Sequence, residues 1–172
     1  AARLGLPMVD CDGMGRAFPE LQMVTFTIGG ISASPMALTD EKGNCVIFET
    51  ITNKWTEELA RAVTMSCGGS VSVCLYPMTG AQMKQYAVKH IVTRSQKLGA
   101  AIRTVKECGD RTPEEHFLEF SEGIKLFKGK ISDVLRETRG AFNFGKVMLE
   151  GIGEYKGHTA FVEFQNENLT AT

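Results

Sequence analysis

Near Gly123 the texture of the chain changes from capped helices to extended runs separated by glycines, and that switch confines it to a mixed architecture. Before it stand three signatures of helix starts, in which a Thr accepts from the backbone three residues on while a Gln or Glu there reaches back. They are Thr79 with Gln82, Thr93 with Gln96, and Thr112 with Glu115, the last with Pro113 at the first helical position. After it come three extended segments, Ile124 to Glu137, Ala141 to Leu149 and Thr159 to Gln165, broken by Gly140, by Gly151 and Gly153, and by Gly157. Such spacing predicts an antiparallel meander. The expected fold is therefore α+β, or mixed α/β: a βα region over residues 1–122, then a β-rich region over 123–172 with an unpaired edge that more chain or a partner would have to cover.

Within the first region, Leu21 to Ile28 is rich in Val, Thr, Phe and Ile and stops at Gly29-Gly30, which predicts a strand. The polar turn Asp40 to Asn44 feeds a second strand, Cys45 to Ile51, and the two suggest a hairpin-like pair. Asn53 is expected to cap a helix ending at Gly68-Gly69, with Trp55, Leu59, Ala62 and Val63 on its buried face. Val71 to Tyr76 reads as a strand, and the helix from Arg94 presents Leu98, Ala101, Ile102 and Val105 on one face, as a helix lying on a sheet would. The opening residues resemble the last turn of a helix capped by Gly5, without an initiator Met, so a fragment of a longer protein is expected.

Composition sets the class of function. Apolar residues make up 43% of the 172 and charged residues 23%, near the globular averages of about 45–50% and about 25%. No run approaches the roughly 18–20 apolar residues of a membrane helix. Nineteen basic against twenty acidic groups, with no basic stripe interleaved with aromatics, argue against nucleic acid. The five cysteines lack CxxC spacing and read as reduced structural thiols, which places the protein in a reducing compartment, the cytoplasm.

The sharpest local signal is Asp10-Cys11-Asp12-Gly13-Met14-Gly15-Arg16. Two carboxylates two residues apart can hold a hard cation or orient water, Gly13 and Gly15 let backbone approach a ligand, and Arg16 can clasp a carboxylate or ring carbonyl. The same residues also make a plain turn in which Asp side chains bond backbone N–H groups. An Asp-x-Asp-Gly after a strand also opens haloacid-dehalogenase-type phosphatases, with Gly109-Asp110 as their later acidic motif; however, Met14 stands where those enzymes carry Thr. At Thr79-Gly80-Ala81-Gln82 a helix start follows a strand, either offering N–H groups, Thr79 and Gln82 to an oxygen ligand or simply capping itself. Asn166 and Glu167, in an amide-rich end to an apolar strand, could read the N–H and C=O edges of a ring or form a surface turn. His90, His116 and His158 have no metal-ligand spacing. Cys11 is disfavoured as a nucleophile by its flanking carboxylates.

On these motifs the chain resembles the S-methyl-thiohydantoin desulfurase family, found beside hydantoin-utilisation genes. The resemblance rests on Pro7 to Glu20 (PMVDCDGMGRAFPE), Ala33 to Leu38 (ASPMAL), Thr52 to Arg61 (TNKWTEELAR), Tyr76 to Gln82 (YPMTGAQ), Phe127 to Thr138 (FKGKISDVLRET) and Phe164 to Leu169 (FQNENL). It implies a protein about twice this length, of which this stretch is the middle, an α/β region followed by a β-rich one, and hydrolytic removal of a sulfur substituent from an imidazolone ring to leave a hydantoin. Carried over by position, Asp10, Asp12, Arg16 and Glu20 are the catalytic candidates and Thr79, Gln82, Asn166 and Glu167 the substrate-binding ones, to which the backbone at Gly13, Gly15 and Gly80 adds on the reading of the residues themselves. Cys11 stands where the family has Ala, and Gly140-Ala141-Phe142 where it has a double glycine before the aromatic, so neither position receives a catalytic role.

The chemistry expected is water attack on an amidine-like ring carbon. Asp10 or Asp12 orients the water or a divalent metal, Arg16 binds a carbonyl or carboxylate, and Glu20 handles protons. The expected partners are a small cyclic amide and either a second copy or the rest of a parent chain. A competing expectation is a non-catalytic scaffold within a larger hydantoinase-type protein.

Overall fold

A computed structural model describes residues 2–104 and 112–172. Val105, Cys108, Gly109 and Asp110, which figured in the expectations above, lie outside the described residues. A short 3-10 turn, Ala2–Leu4, ends at Gly5, whose φ of +63° supplies the left-handed cap. The chain then forms β1 (Cys11–Asp12), one helical turn α1 (Thr25–Ile28), β2 (Met36–Thr39), β3 (Cys45–Phe48) and helix α2 (Asn53–Ser66). Strand β4 (Ser72–Cys74), helix α3 (Gly80–Tyr86), strand β5 (Val88–Lys89) and helices α4 (Ile91–Thr104) and α5 (Pro113–Ser121) complete the first region. Strands β6 (Gly129–Arg139), β7 (Phe142–Gly151), β8 (Thr159–Gln165) and β9 (Glu167–Ala171) follow as a four-stranded antiparallel meander in sequence order. The mixed α+β class and the glycine-punctuated meander are those of the sequence.

The first region has the core. Strand β2 is central in a three-stranded sheet ordered β3-β2-β4, and it alternates as a half-buried strand should. Met36 and Leu38, each 1% exposed, point inward together with Phe48 and Ala60 of α2, flanked by Val46, Val63 and Val71. A second cluster joins Val24, Ile31, Ala33 and Tyr76 to Phe26, Met14 and Tyr86. Polar groups between them are paired: Asn53 accepts from the Ala33 N–H at 2.7 Å and donates to the Ile31 carbonyl and to Thr27, while the Tyr76 hydroxyl lies 2.7 Å from Thr27 Oγ1. Burial pushes the Tyr76 phenol up from its ordinary pKa and keeps it neutral.

Six expectations are corrected. Asn53 does not cap α2: it is the first helical residue, and Thr52 is the cap, its hydroxyl accepting from the Trp55 N–H at 3.2 Å. Leu21 to Ile28 is not a strand: the Leu21 N–H is taken by Glu57, Thr25 donates to the Gly13 carbonyl, and α1 turns before Gly29. The hairpin is β2 with β3 across the Asp40–Asn44 turn, where the Asp40 carboxylate accepts from the Lys42 and Asn44 N–H groups. Of the α2 face expected to be buried, Trp55, Leu59 and Ala62 are exposed, Trp55 at 48%, and Val63 alone packs on the core. Thr56, Glu57 and Ala60 face inward instead, because the bulk of Met36 and Leu38 needs small Ala60 opposite and both polar groups find partners. Thr93 and Gln96 form no capping box; α4 begins at Ile91, and it packs on α5 and β1, not flat on a sheet. The boxes at Thr79–Gln82 and Thr112–Glu115 are both present.

Candidate functional site

The acidic bend is built by local hydrogen bonds. Asp12, paired with Val88 across β1 and β5, turns its Oδ1 onto the N–H groups of Met14 and Gly15 at 2.9 and 2.8 Å. Gly15 follows at φ +72°, and Gly13 is a packing glycine: a Cβ there would lie 2.7 Å from the Phe26 ring. The Asp10 carboxylate goes the other way, onto the Thr93 N–H at 3.0 Å and the Thr93 hydroxyl at 2.6 Å, so a residue 83 positions away caps α4. The Thr93 hydroxyl, then the Thr93 N–H, hold the Asp10 carboxyl below the usual aspartate range, and His90 Nδ1 sits 3.6 Å from it.

Arg16 reaches across to the far end of the sequence. Its guanidinium donates to the Asn168 carbonyl at 2.9 Å and lies 4.2 Å over the Phe18 ring. The bend and the amide-rich turn are thus neighbours. In that turn Asn166, at φ +56°, accepts from the Asn143 N–H through its side chain and donates its own N–H to the Asn143 carbonyl, tying the β8–β9 turn to β7. Glu167 opens β9 opposite Gln165. Thr79 and Gln82 are spent on each other, with the Thr79 N–H 2.9 Å from Gln82 Oε1, and Gly80 is the exposed first residue of α3.

Glu20 is placed differently. It lies at a cleft of about 420 Å³ between α2 and the β6–β7 turn, on the seam of the two regions. Small-molecule sites span roughly 300–1,000 Å³. The cleft pairs carboxylates with cations against a largely apolar wall that includes Ala62, Met65 and Phe142. Lys54 Nζ lies 2.5 Å from Glu20 Oε2, and Gln22 donates to the same oxygen. Lys54 first, then Gln22, hold the Glu20 carboxyl below its ordinary range, so it is ionised at neutral pH. One turn along α2, Glu57, its side chain 3% exposed, accepts from the Leu21 N–H at 2.8 Å and from Arg61 Nε. Arg61 also donates to the Pro19 carbonyl at 3.0 Å and stacks 3.9 Å over the Phe142 ring. Glu57 and Arg61 thus fasten the segment on both sides of Glu20 to the helix and the hairpin.

Of the sequence candidates, only Glu20 lines this cleft, and neither Asp10 nor Asp12 does. Sequence reading missed Lys54, Glu57, Arg61 and Phe142. The signal was present as an acid and an Arg four residues apart on a predicted helix, a pair that usually sits in solvent. A divalent metal does not fit the donors: Asp10 and Asp12 are turned onto different partners, and among the described residues no three His, Cys, Asp or Glu groups are placed to share an ion.

Comparison with known proteins agrees with the whole length. The S-Me-THD-like N-terminal domain model matches residues 1–50 and the S-Me-THD-like C-terminal domain model residues 51–172. A crystal structure of a protein from Chromobacterium violaceum is similar, with 28% identity and a TM-score of 0.72. The match covers 99% of this chain but 46% of that one, so the chain spans less than half the length of its solved relative. No curated protein matches.

Proposed function

The chain belongs to the S-Me-THD-like family, and from that premise we propose that it forms the seam cleft of a hydrolase acting on S-methyl-thiohydantoin or a closely related cyclic amide. In the reaction water adds to the ring carbon that bears sulfur, Glu20 takes a proton from that water, and the C–S bond breaks. The ring keeps the new C=O and an N–H, and methanethiol leaves with the remaining proton. The single observation that supports this role best is the position of a carboxylate, Glu20, at a cleft of heterocycle size; Lys54 keeps it ionised and at the same time makes it a weaker base than the raised pKa such work favours. Arg16, expected to bind a ring carbonyl or substrate carboxylate, does not line this cleft, and its guanidinium is taken by the Asn168 carbonyl, so in this proposal it has a positioning role only. Gly13, Gly15, Asp10 and Asp12 shape the bend that carries it. With no disulfide framework in its cysteine pattern, we place the reaction in the cytoplasm.

One observation favours the alternative of a non-catalytic scaffold: Asp10, Asp12, Thr79 and Gln82 all serve caps and turns. Thermal shift with hydantoins separates the two. A ligand that binds only the folded state raises the melting temperature by mass action, and the proposal expects that rise to be lost in Glu20→Gln and Arg61→Ala. A scaffold gives no rise in any of them.

A further inference from the structure

Tyr76 is an unusual member of the first core. It is 7% exposed, and its backbone sits at φ +57°, a left-handed conformation that costs a bulky residue energy and that glycine adopts freely. Its N–H goes to the Ala33 carbonyl at 3.3 Å and its ring packs 5.6 Å from that of Phe26, so the strained backbone fixes where the phenol points. The hydroxyl ends a chain of polar groups. Asn53, the first residue of α2, donates to Thr27 Oγ1 at 3.0 Å, Thr27 Oγ1 lies 2.7 Å from the Tyr76 oxygen, and the Tyr76 hydroxyl donates to the Leu21 carbonyl at 3.3 Å. With an N–H at one end and a carbonyl at the other, each hydroxyl between them accepts one bond from behind and donates one onward. Burial keeps the phenol neutral and able to donate.

Leu21 directly follows Glu20. The backbone groups around Glu20 are held in succession: the Pro19 carbonyl by Arg61, the Glu20 carbonyl by the Met23 N–H at 3.1 Å, the Leu21 N–H by Glu57 and the Leu21 carbonyl by Tyr76. Arg61 and Glu57 line the cleft, whereas Tyr76 does not and holds the segment from the core behind it. We propose that Tyr76 is a positioning residue for Glu20: through the Leu21 carbonyl its hydroxyl anchors the segment to the core, so that the Glu20 carboxylate stays beside Lys54 at the cleft. Its value to the reaction rests on the reading of Glu20 as the base. Without the hydroxyl, the Leu21 carbonyl and Thr27 each lose a partner, and the segment is free to shift. A misplacement of about 1 Å costs as much as about 10²-fold in rate.

Rates of methanethiol release from S-methyl-thiohydantoin, measured across pH with the full-length protein, test this in Tyr76→Phe, Thr27→Val and Glu20→Gln. Tyr76→Phe keeps the ring and removes the hydroxyl, and Thr27→Val, a smaller change to the core, removes the group that orients it. Both should lower kcat about tenfold with KM within about twofold, the pattern of an interaction lost from the transition state and not from ground-state binding. Both should also move the acidic limb of kcat up toward the ordinary 4.5, because Glu20 drifts from Lys54. If Glu20→Gln is slow while both folded hydroxyl variants keep the parent kcat and limb, the positioning role is overturned and Glu20 stands as the base. A lower melting temperature with kcat and limb unmoved makes Tyr76 a purely structural residue and overturns the role as well. Glu20→Gln at the parent rate overturns the base itself, and the positioning role with it.

Discussion

The two regions of this molecule both carry hydrogen-bonded sheets but bury their side chains very unequally. Every buried residue among those described lies between Gly13 and Ala101, whereas the sheet from Gly129 to Ala171 has none. In the first region strands are only two to four residues long, and stability comes from Met36 and Leu38 locked against α2. In the second, strands of up to eleven residues are held by their ladders, with cations over three Phe rings on one face and half-buried or exposed aliphatic residues on the other. Hydrogen-bonded regularity and core packing are therefore separable. The cleft sits on the seam between them.

Replacing core against sheet is the sharpest way to break that contrast. Leu38→Ala should cost about 2–5 kcal/mol, the range for truncating a fully buried Leu. Val162→Ala, which loses little burial, should cost less than about 1 kcal/mol. Denaturant midpoints measure both, and equal losses would mean the sheet face is already covered.

Glu57→Ala should cost about 3 kcal/mol, because it leaves the Leu21 N–H and Arg61 without their partner. Glu57→Gln should recover part of that loss in the same unfolding experiment. Gly145→Ala tests the sheet alone. Its Cβ would meet the Leu135 carbonyl at 2.3 Å, which should cost about 1–3 kcal/mol and speed hydrogen exchange in β7 and β8 while α2 is unchanged.

The smallest effect is electrostatic. Asp10 has a lowered folded pKa, so its contribution to α4 is fully present above its ordinary value of 3.8 and is lost as pH falls through the lower folded one. Exchange of α4 amides should rise below that value in the parent chain, and Asp10→Asn should flatten the dependence. The acidic limb of any Glu20-dependent activity should likewise lie below the ordinary 4.5, and Lys54→Met should move it upward.

What was legible in the sequence is what depends on neighbours in the chain. The Thr79 and Thr112 boxes, the Asp40–Asn44 turn and the glycine-broken meander close within a few residues and were readable. What failed depends on distant partners. Leu21 to Ile28 has strand propensity, but Glu57 takes its first N–H and Asn53 the Thr27 hydroxyl. Strand β2 was overlooked because its four residues are too short to display a period. The cap on α4 comes from Asp10, which no window around Thr93 contains. At the site, Glu20 was named only through the family resemblance of the block ending at Pro19-Glu20, and its cleft was not legible at all, since Arg61 and Phe142 are 81 positions apart and meet only when α2 and the hairpin do.

The most direct test is the rate of methanethiol release from S-methyl-thiohydantoin by the full-length protein and its Glu20→Gln variant, with circular dichroism as a check on folding. The account predicts a folded variant whose kcat is lower by about 10²–10⁴, the usual contribution of a positioned acid or base. A folded Glu20→Gln protein that releases methanethiol at the parent rate would contradict it.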